Sequence, residues 1–233
     1  MKYLITIVCW FIPIKNVRIY LKNKYVKSKR IKYTNGNKVI VHGENGEIIV
    51  NPYSILGLKI SFNGHNSIIE LYKPIKFYKS EIKVDSNCKI TIHKSYQINM
   101  LVYAYDDSSI FIDDNVGIGG ARIHMMNEKG TSLYIGPDAV LSYDIEIYTT
   151  DTHPILDLHG NIINNTKSSV IIGAHTWVGA SSVLLKGCQL PENCIIGHSS
   201  VVTKKFQEPN TIIAGNPARV VKSNINWRGG TID

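Results

Sequence analysis

An aliphatic residue recurs at every sixth position between Ile172 and Val202. A helix has 3.6 residues per turn and a strand alternates in twos, so neither produces a period of six. A residue of small or moderate size follows each aliphatic one by four positions, which gives every hexad two positions suited to a tight interior. The aliphatic series is Ile172, Val178, Leu184, Leu190, Ile196 and Val202, and the second series is Thr176, Ser182, Cys188, Cys194 and Ser200, followed by the larger Phe206.

Three hexads, each forming one flat face, predict a triangular coil of about eighteen residues. Stacked coils pair strand with strand and bury aliphatic ladders that a single repeat would leave exposed. The pattern therefore predicts an all-β fold, a parallel β-helix built from hexapeptide repeats.

The repeat continues upstream in a coarser form, in segments where Ser or Cys precedes alternating aliphatic residues. Equivalent positions are separated by 21, 20, 23 and 37 residues. The last interval requires two coils or one coil with an excursion, and we favour an inserted loop at residues 151–167, where Pro, Gly and His break the hexad phase. Long loops on rigid scaffolds tend to carry function. The equivalent positions are Ile69, Ile90, Ile110, Leu133 and Val170.

Composition indicates one folded domain, since 44% of the 233 residues are hydrophobic and 19% are charged. We assign residues 1–45 to a basic N-terminal cap segment and residues 46–222 to the β-helix domain, which includes the loop. Residues 223–233 form a C-terminal tail.

The positive charge is concentrated near the N-terminus, where ten basic residues precede the first acidic residue, Glu44, in a chain of net charge +8. The remainder is close to neutral, which argues against a nucleic-acid-binding protein. Residues 3–14 are apolar but too few to span a bilayer, and they lack a signal-peptide cleavage site. We expect this segment to cap the open end of the β-helix. The alternative is that residues 1–43 make a peripheral contact with an anionic inner-membrane surface.

The four cysteines show no CxxC spacing. Cys188 and Cys194 occupy equivalent hexad positions, so we expect them to be small core residues. A reducing cytoplasm is the natural compartment for such a chain.

The segment IIGAHTWVGASSVLLKGCQLPENCIIGHSSVVTKKF, followed by IIAGNPARVV, resembles the hexapeptide-repeat acyltransferases, whose β-helix is left-handed. With IGPDAVLSYDIEIYTTDTHPI and the tail NINWRGG, the chain is similar to the bacterial capsule and polysialic acid O-acetyltransferases, most clearly over residues 132–221. This resemblance implies acetyl-CoA as co-substrate, a glycan hydroxyl as acceptor, and a homotrimer with sites between subunits.

Moving an acetyl group to a hydroxyl requires a base that accepts the hydroxyl proton, and histidine suits this task near neutral pH. His153 lies in the inserted loop with Pro154 fixing the chain after it, and the resembling families place their catalytic histidine in this motif. Asp151 would orient the imidazole, or else cap the loop through backbone amides. Trp177 should point outward, where it would pack against acetyl-CoA or the acceptor, or else be covered at a trimer contact.

The donor should bind where basic side chains meet its phosphates. The resemblance carries coenzyme A contacts onto Thr203, Lys204 and Arg219, and Lys205 is a further basic candidate. His198 stands where many members have a small residue. Ala180 and Ser181 are candidate backbone contacts to the thioester arm, or merely form a small corner. We also expect Gly173, Gly179 and Gly197 to be turn glycines with positive φ.

Three other functions compete with O-acetylation. His159 and His175 are secondary candidates near His153, and such a cluster allows a zinc site of the kind found in β-helix carbonic anhydrases. The coenzyme A motif argues against that interpretation, and no metal is expected. N-acetylation of an amino sugar nucleotide normally involves a larger N-terminal unit, and a non-catalytic scaffold would leave the His153 loop unexplained. We predict an O-acetyltransferase of a capsular polysaccharide, with sialic acid polymers among the candidates, or of an O-antigen.

Overall fold

The computed structural model describes residues 35–44 and 46–229. Cys9 lies outside the described residues, and so does most of the segment for which a cap or a membrane contact is predicted. The described chain contains 21 β-strands and no helix, and therefore no helix that could span a membrane. The strands are β1 (Lys38–Gly43), β2 (Gly46–Ile49), β3 (Leu58–Phe62), β4 (Ile68–Tyr72), β5 (Ile75–Phe77), β6 (Ser80–Val84), β7 (Lys89–Ile92), β8 (Ser95–Ala104), β9 (Ser109–Ile112), β10 (Gly117–Met125), β11 (Ser132–Ile135), β12 (Val140–Leu141), β13 (Ile145–Tyr148), β14 (Val170–Ile172), β15 (Trp177–Val178), β16 (Val183–Leu184), β17 (Gln189–Leu190), β18 (Ile195–Ile196), β19 (Val201–Val202), β20 (Ile212–Gly215) and β21 (Ala218–Lys222).

The strands form a three-faced solenoid, which confirms the predicted left-handed parallel β-helix. The first face stacks β1, β4, β7, β9, β11, β14 and β17 in parallel. The second face consists of β5, the start of β8 and of β10, and then β12, β15, β18 and β20. The third face consists of β3, β6, the ends of β8 and β10, and then β13, β16 and β19. Antiparallel hairpins stand at both ends, formed by β2 on β1 and by β21 on β20.

The hexad arithmetic is confirmed by the strand register. Ile172 pairs with Leu190, Val178 with Ile196 and Leu184 with Val202, so each step along a face is eighteen residues. All six aliphatic residues are buried, as are the five small or moderate residues of the second series, including Cys188 and Cys194. The upstream ladder runs through Ile69, Ile90, Ile110, Leu133 and Val170 as predicted.

The long interval between Leu133 and Val170 is one coil with an excursion, because β11 pairs directly with β14. The excursion leaves the third face after β13 and returns to the first face at β14. Antiparallel bridges close it at Thr150 with Lys167 and nearer its tip at Leu156 with Ile162. The predicted loop is therefore an arm that projects from the edge between the third and first faces.

The expectation that Gly173, Gly179 and Gly197 have positive φ is wrong. These glycines are required by close approach of the next coil. A Cβ on Gly179 would lie 2.6 Å from the carbonyl oxygen of Ile196, and one on Gly173 would lie 2.5 Å from the carbonyl carbon of Pro191. The left-handed conformation falls two positions later in each hexad, at corner residues that are mostly polar: His175, Ser181, Gly187, Asn193 and Ser199.

The first parallel rung begins earlier than the segment assigned to the β-helix domain. β1 pairs in register with β4 and buries Val39 and Val41, although it lies within the residues assigned to the cap. The hydrophobic interior therefore extends upstream to Lys38, and any truncation that removes this strand would expose the ladder below it.

Candidate active site

The base of the projecting arm is tied to the solenoid through Asp151. Its carboxylate Oδ2 accepts a hydrogen bond from Asn164 Nδ2 at 2.6 Å and forms an ion pair with Lys186 Nζ at 3.3 Å, while its backbone N–H donates to the Thr166 carbonyl at 2.8 Å. Lys186 lies at the corner that follows β16, one coil beyond the arm. These contacts fix the arm across its width and against the neighbouring coil.

His153 is exposed on the arm, two residues beyond this anchor. Among the described residues, its imidazole makes no hydrogen bond or ion pair, and Asp151 is directed to Asn164 and Lys186 instead. The neighbouring Thr152 adopts a left-handed φ of 62°, so the chain turns sharply just before the imidazole. The His153 imidazole is thus open to solvent.

His159 lies at the tip of the arm. Its backbone N–H and that of Asn161 both donate to Asp157 Oδ1, at 2.8 and 2.9 Å. The Asn161 side chain also binds this carboxylate, and together these hydrogen bonds lower the pKa of Asp157. The tip is a closed turn six residues from His153, so the two histidines stand at different levels of the arm.

Thr203, Lys204 and Lys205 lie on the same edge as the arm. Lys186 and Lys204 each follow a buried residue of the third face by two positions, and those two residues are paired. With strands about 4.8 Å apart, the two ladder steps from the arm to Lys204 span roughly 10 Å. Both Lys204 and Lys205 are exposed, and Lys204 Nζ lies 5.4 Å from the centre of the Phe206 ring.

Trp177 lies on the second face and points outward, as predicted, with 39% of its surface exposed. Its indole Nε1 donates a hydrogen bond to Ser142 Oγ at 3.0 Å. The ring of Trp227 in the C-terminal tail lies 5.9 Å away, tilted by 43°. The Ser142 contact follows from the pairing of Val140 with Trp177 on successive rungs, whereas the Trp227 contact could not be found from periodicity, since the tail has no repeat.

Ala180, Ser181 and His198 meet at the edge between the second and third faces. The Ala180 carbonyl accepts from His198 Nδ1 at 2.6 Å and from the Ser199 N–H at 2.9 Å. The Ser181 N–H donates to the Tyr143 carbonyl at 2.9 Å. The Ala180 carbonyl and the Ser181 N–H are thus engaged between coils. The Ala180 N–H donates to no described residue, so it remains for a ligand together with the exposed Ser181 hydroxyl and the free edge of the His198 ring.

Arg219 stands on β21, opposite Ala214 of β20, at the end of the second face. Its side chain is exposed, and a guanidinium nitrogen donates to the Ala218 carbonyl at 2.8 Å. The cation therefore belongs to the face that carries Trp177.

The predicted residues fall into two groups on one chain. The first group, at the edge between the third and first faces, comprises Asp151, His153, Thr203, Lys204 and Lys205. The second group, on the second face and its edge with the third, comprises Trp177, Ala180, Ser181, His198 and Arg219. Because the second face is the one that does not border the arm's edge, a single chain does not bring His153 and Trp177 together.

A polar cluster that the sequence did not single out lies on the third face, beside the base of the arm. Glu146 accepts from Arg122 and from His124 Nε2, the latter at 2.7 Å, and His124 stacks on Tyr148 with ring centres 4.5 Å apart. Burial acts to raise the pKa of Glu146, but the hydrogen bonds outweigh it and lower the pKa. Burial raises the pKa of Tyr148. His124 is thus a surface histidine whose imidazole is satisfied by Glu146 and Tyr148.

Possible metal ligands converge at one place among the described residues. His93, Asp113 and Asp114 on the first face have ligand atoms within 4.8 Å of one another. None of the loop histidines belongs to this group, and Asp113 already accepts a hydrogen bond from Tyr134 at 3.1 Å. The structure gives the zinc interpretation of His153 no support from neighbouring ligands on the same chain.

Comparison with known proteins extends the similarity beyond the hexads. The bacterial transferase hexapeptide family (six repeats) matches residues 169–204. A polysialic acid O-acetyltransferase of Neisseria meningitidis is 37% identical over 190 residues, covering 79% of this chain and 86% of the relative. A polysialic acid O-acetyltransferase of Escherichia coli O1:K1 / APEC is 32% identical over 138 residues, which cover 59% of this chain and 44% of that relative.

Two solved structures share the architecture over most of the chain. The polysialic acid O-acetyltransferase OatWY superposes with a TM-score of 0.73 at 29% identity, covering 84% of this chain and 90% of that one. The polySia-specific acetyltransferase NeuO superposes with a TM-score of 0.70 at 25% identity, covering 84% and 86%. The shared fold therefore includes coils upstream of the recognisable hexads.

Proposed function

Because the chain belongs to the polysialic acid O-acetyltransferases among the hexapeptide-repeat transferases, we propose that it transfers an acetyl group from acetyl-CoA to a hydroxyl of a bacterial surface glycan. Polysialic acid is the first acceptor to test, followed by other capsular polysaccharides and O-antigen units. The observation that carries the proposal is the exposed His153, presented on an arm whose base is anchored at Asp151.

The proposed reaction is direct transfer in a ternary complex. His153 accepts the proton of the glycan hydroxyl as its oxygen attacks the thioester carbonyl, and backbone amides near Trp177 stabilise the oxyanion. The carbon–sulfur bond then breaks, and protonated His153 returns the proton to the leaving thiolate. A cysteine nucleophile is not required. Of the described cysteines, all three are buried, and burial raises the pKa of Cys188 to about 12.

We further propose that the active site forms between subunits of a homotrimer. His153 and Trp177 lie on opposite sides of one prism, so an arm from one chain would meet the second face of its neighbour. The arm exposes a group of aliphatic side chains, and an exposed apolar patch of this kind is typical of a surface that another protein chain covers. In a closed ring of three chains, each arm contacts the second face of the next chain, so every arm and every second face has a partner. These exposed residues are Ile155, Leu156, Leu158, Ile162 and Ile163.

In this arrangement the donor spans both groups of residues. Arg219 and His198 would reach it from the chain that supplies Trp177, and Thr203, Lys204 and Lys205 from the chain that supplies the arm. The lysine and arginine side chains suit the phosphates of coenzyme A. The Trp177 indole offers a half-exposed apolar surface for the pantetheine chain of acetyl-CoA, which carries the thioester.

The intersubunit arrangement can be tested by complementation. Chains carrying His153→Ala and chains carrying Trp177→Ala would be co-expressed with different tags, and mixed oligomers purified through both. If each site takes His153 from one chain and Trp177 from its neighbour, every mixed trimer purified in this way contains one intact site, so about a third of the sites are restored. Mixed oligomers that stay as inactive as either parent would place both residues in one chain's site.

The activity itself is tested by thiol release from acetyl-CoA with polysialic acid, neutral capsular oligosaccharides and amino sugar nucleotides as acceptors. Turnover on a glycan with an alkali-labile product supports O-acetylation and identifies the acceptor. Turnover restricted to an amine would replace the proposal with N-acetylation. Thiol release without an acceptor, measured in parallel, corrects for hydrolysis.

For localisation we propose the cytoplasm, on the grounds of free buried cysteines. Contact with the inner membrane through the N-terminal segment stays a prediction. It can be tested by liposome flotation of the full chain against a shortened chain. The shortened chain should begin at Asn35, because removal of residues 1–43 would also delete β1. Equal flotation of the two chains on anionic vesicles would contradict membrane contact through this segment.

A further inference from the structure

The C-terminal tail, residues 223–229, folds back along one edge of the prism. The Ile225 N–H donates to the Asn210 carbonyl at 3.0 Å, and Asn210 Nδ2 returns a hydrogen bond to the Ile225 carbonyl at 3.1 Å. Asn210 is a corner residue with a left-handed φ of 58° that precedes β20. The tail is thus fixed at the edge between the first and second faces.

Two residues beyond this anchor, Trp227 packs against the same edge. Its Nε1 donates to the His175 carbonyl at 2.8 Å, and its ring stacks on the His175 imidazole with centres 4.4 Å apart and planes within 6°. The imidazole is itself held by Asn193, with Nδ1 2.9 Å from Oδ1. His175, Asn193 and Asn210 occupy corners on successive coils, so the tail straps three coils together.

This packing places the Trp227 ring beside the outward indole of Trp177. Aromatic pairs with centres between about 4.5 and 7 Å attract one another beyond the effect of area burial, and these two centres are 5.9 Å apart. Ser142 binds the Nε1 edge of Trp177. The indole is therefore held at its edge by a side chain of the preceding coil and on one side by a residue of the tail.

We propose that Trp227 is a positioning residue of the acyl-transfer site, and that the two indoles together form the surface on which the pantetheine arm of the acyl donor packs. The proposal rests on the proposed function of Trp177. A half-exposed indole supported only by Ser142 would be free to rotate about its side-chain torsions, and Trp227 removes that freedom before the donor binds. Preorganisation of this kind lowers the entropic cost of binding.

The kinetic test compares Trp227→Ala with Trp227→Phe, and uses Tyr96→Ala as a control because Tyr96 is an exposed aromatic residue, at 75%, on an early coil. Loss of one aromatic pair should raise the KM for acetyl-CoA about 2- to 13-fold in Trp227→Ala. The acceptor KM should not change, and Trp227→Phe should restore most of the affinity. A Trp227→Ala enzyme with an unchanged acetyl-CoA KM, or with a change confined to the acceptor, would overturn the proposal.

A binding measurement on the unaltered chain does not depend on how the alanine variant folds. The chain has three tryptophans, so 5-fluorotryptophan labelling gives three fluorine signals, assigned with Trp177→Phe and Trp227→Phe. Addition of acetyl-CoA should shift both the Trp177 and the Trp227 signals. A shift of Trp177 alone would overturn the role of Trp227 and leave the proposed function standing, whereas no shift of either signal would overturn both.

Discussion

Replacing Gly173 with alanine tests whether the hexad glycines are required by close packing between coils. A Cβ at this position would lie 2.5 Å from the carbonyl carbon of Pro191, 2.6 Å from its oxygen and 2.7 Å from the nitrogen of Glu192. All three atoms are backbone, so no side chain can move aside and the coils must separate. Overpacking of this kind costs about 1–3 kcal/mol. At about 2–4 °C per kcal/mol for a chain of this size, the melting temperature should fall by roughly 2–12 °C.

The assay is thermal unfolding followed by circular dichroism, with Gly117→Ala as the matched control. A Cβ on Gly117 would meet no atom within 4 Å, so this variant should stay within about 1 kcal/mol of wild type. Gly173→Asn separates the two explanations, because asparagine tolerates a left-handed φ and relieves no clash. It should be at least as destabilised as Gly173→Ala. A Gly173→Asn variant that melts with the wild type would refute the close-packing argument.

Two further predictions concern the donor site and the polar cluster. Lys204→Ala combined with Arg219→Ala should raise the apparent KM for acetyl-CoA about tenfold or more with little change for the acceptor, and an effect confined to the acceptor would contradict the donor placement. Glu146→Gln should lower stability by about 1–3 kcal/mol at neutral pH. Because the folded pKa of Glu146 lies below its ordinary value, its stabilisation exists above the unfolded pKa and disappears as the pH falls through the folded one. The melting difference between Glu146→Gln and wild type should therefore shrink below about pH 4, and a difference that grows on acidification would contradict this reasoning.

The periodic part of the fold could be predicted because each hexad obeys the same steric rule. Burial of Ile172 and Val178 follows from spacing alone, and so does the ladder that passes through Leu133 and Val170. The glycines were misassigned because a sequence shows that a side chain is excluded without showing why. Two causes exclude it, positive φ and a neighbouring backbone, and the ladder geometry is needed to separate them.

The candidate site was less predictable because its contacts are not periodic. Asp151 was expected to serve His153 or the loop's amides, but its carboxylate binds Asn164 and Lys186. That pairing depends on where the arm leaves the prism. The same holds for Trp227, whose tail has no repeat and returns to a corner 52 residues earlier. The hexad repeat predicts the face on which a residue lies. It does not predict the edge from which the arm leaves the prism, and that edge is what separates His153 from Trp177.

The most direct test of the central claim is the rate of acetyl transfer to polysialic acid by His153→Ala. His159→Ala is the matched control, since both histidines are exposed on the same arm. Loss of a general base should lower turnover by about 100-fold or more, with melting temperature and oligomer mass unchanged, while His159→Ala keeps nearly full activity. A His153→Ala enzyme that retains turnover within a few fold of wild type would contradict the account and place the base elsewhere.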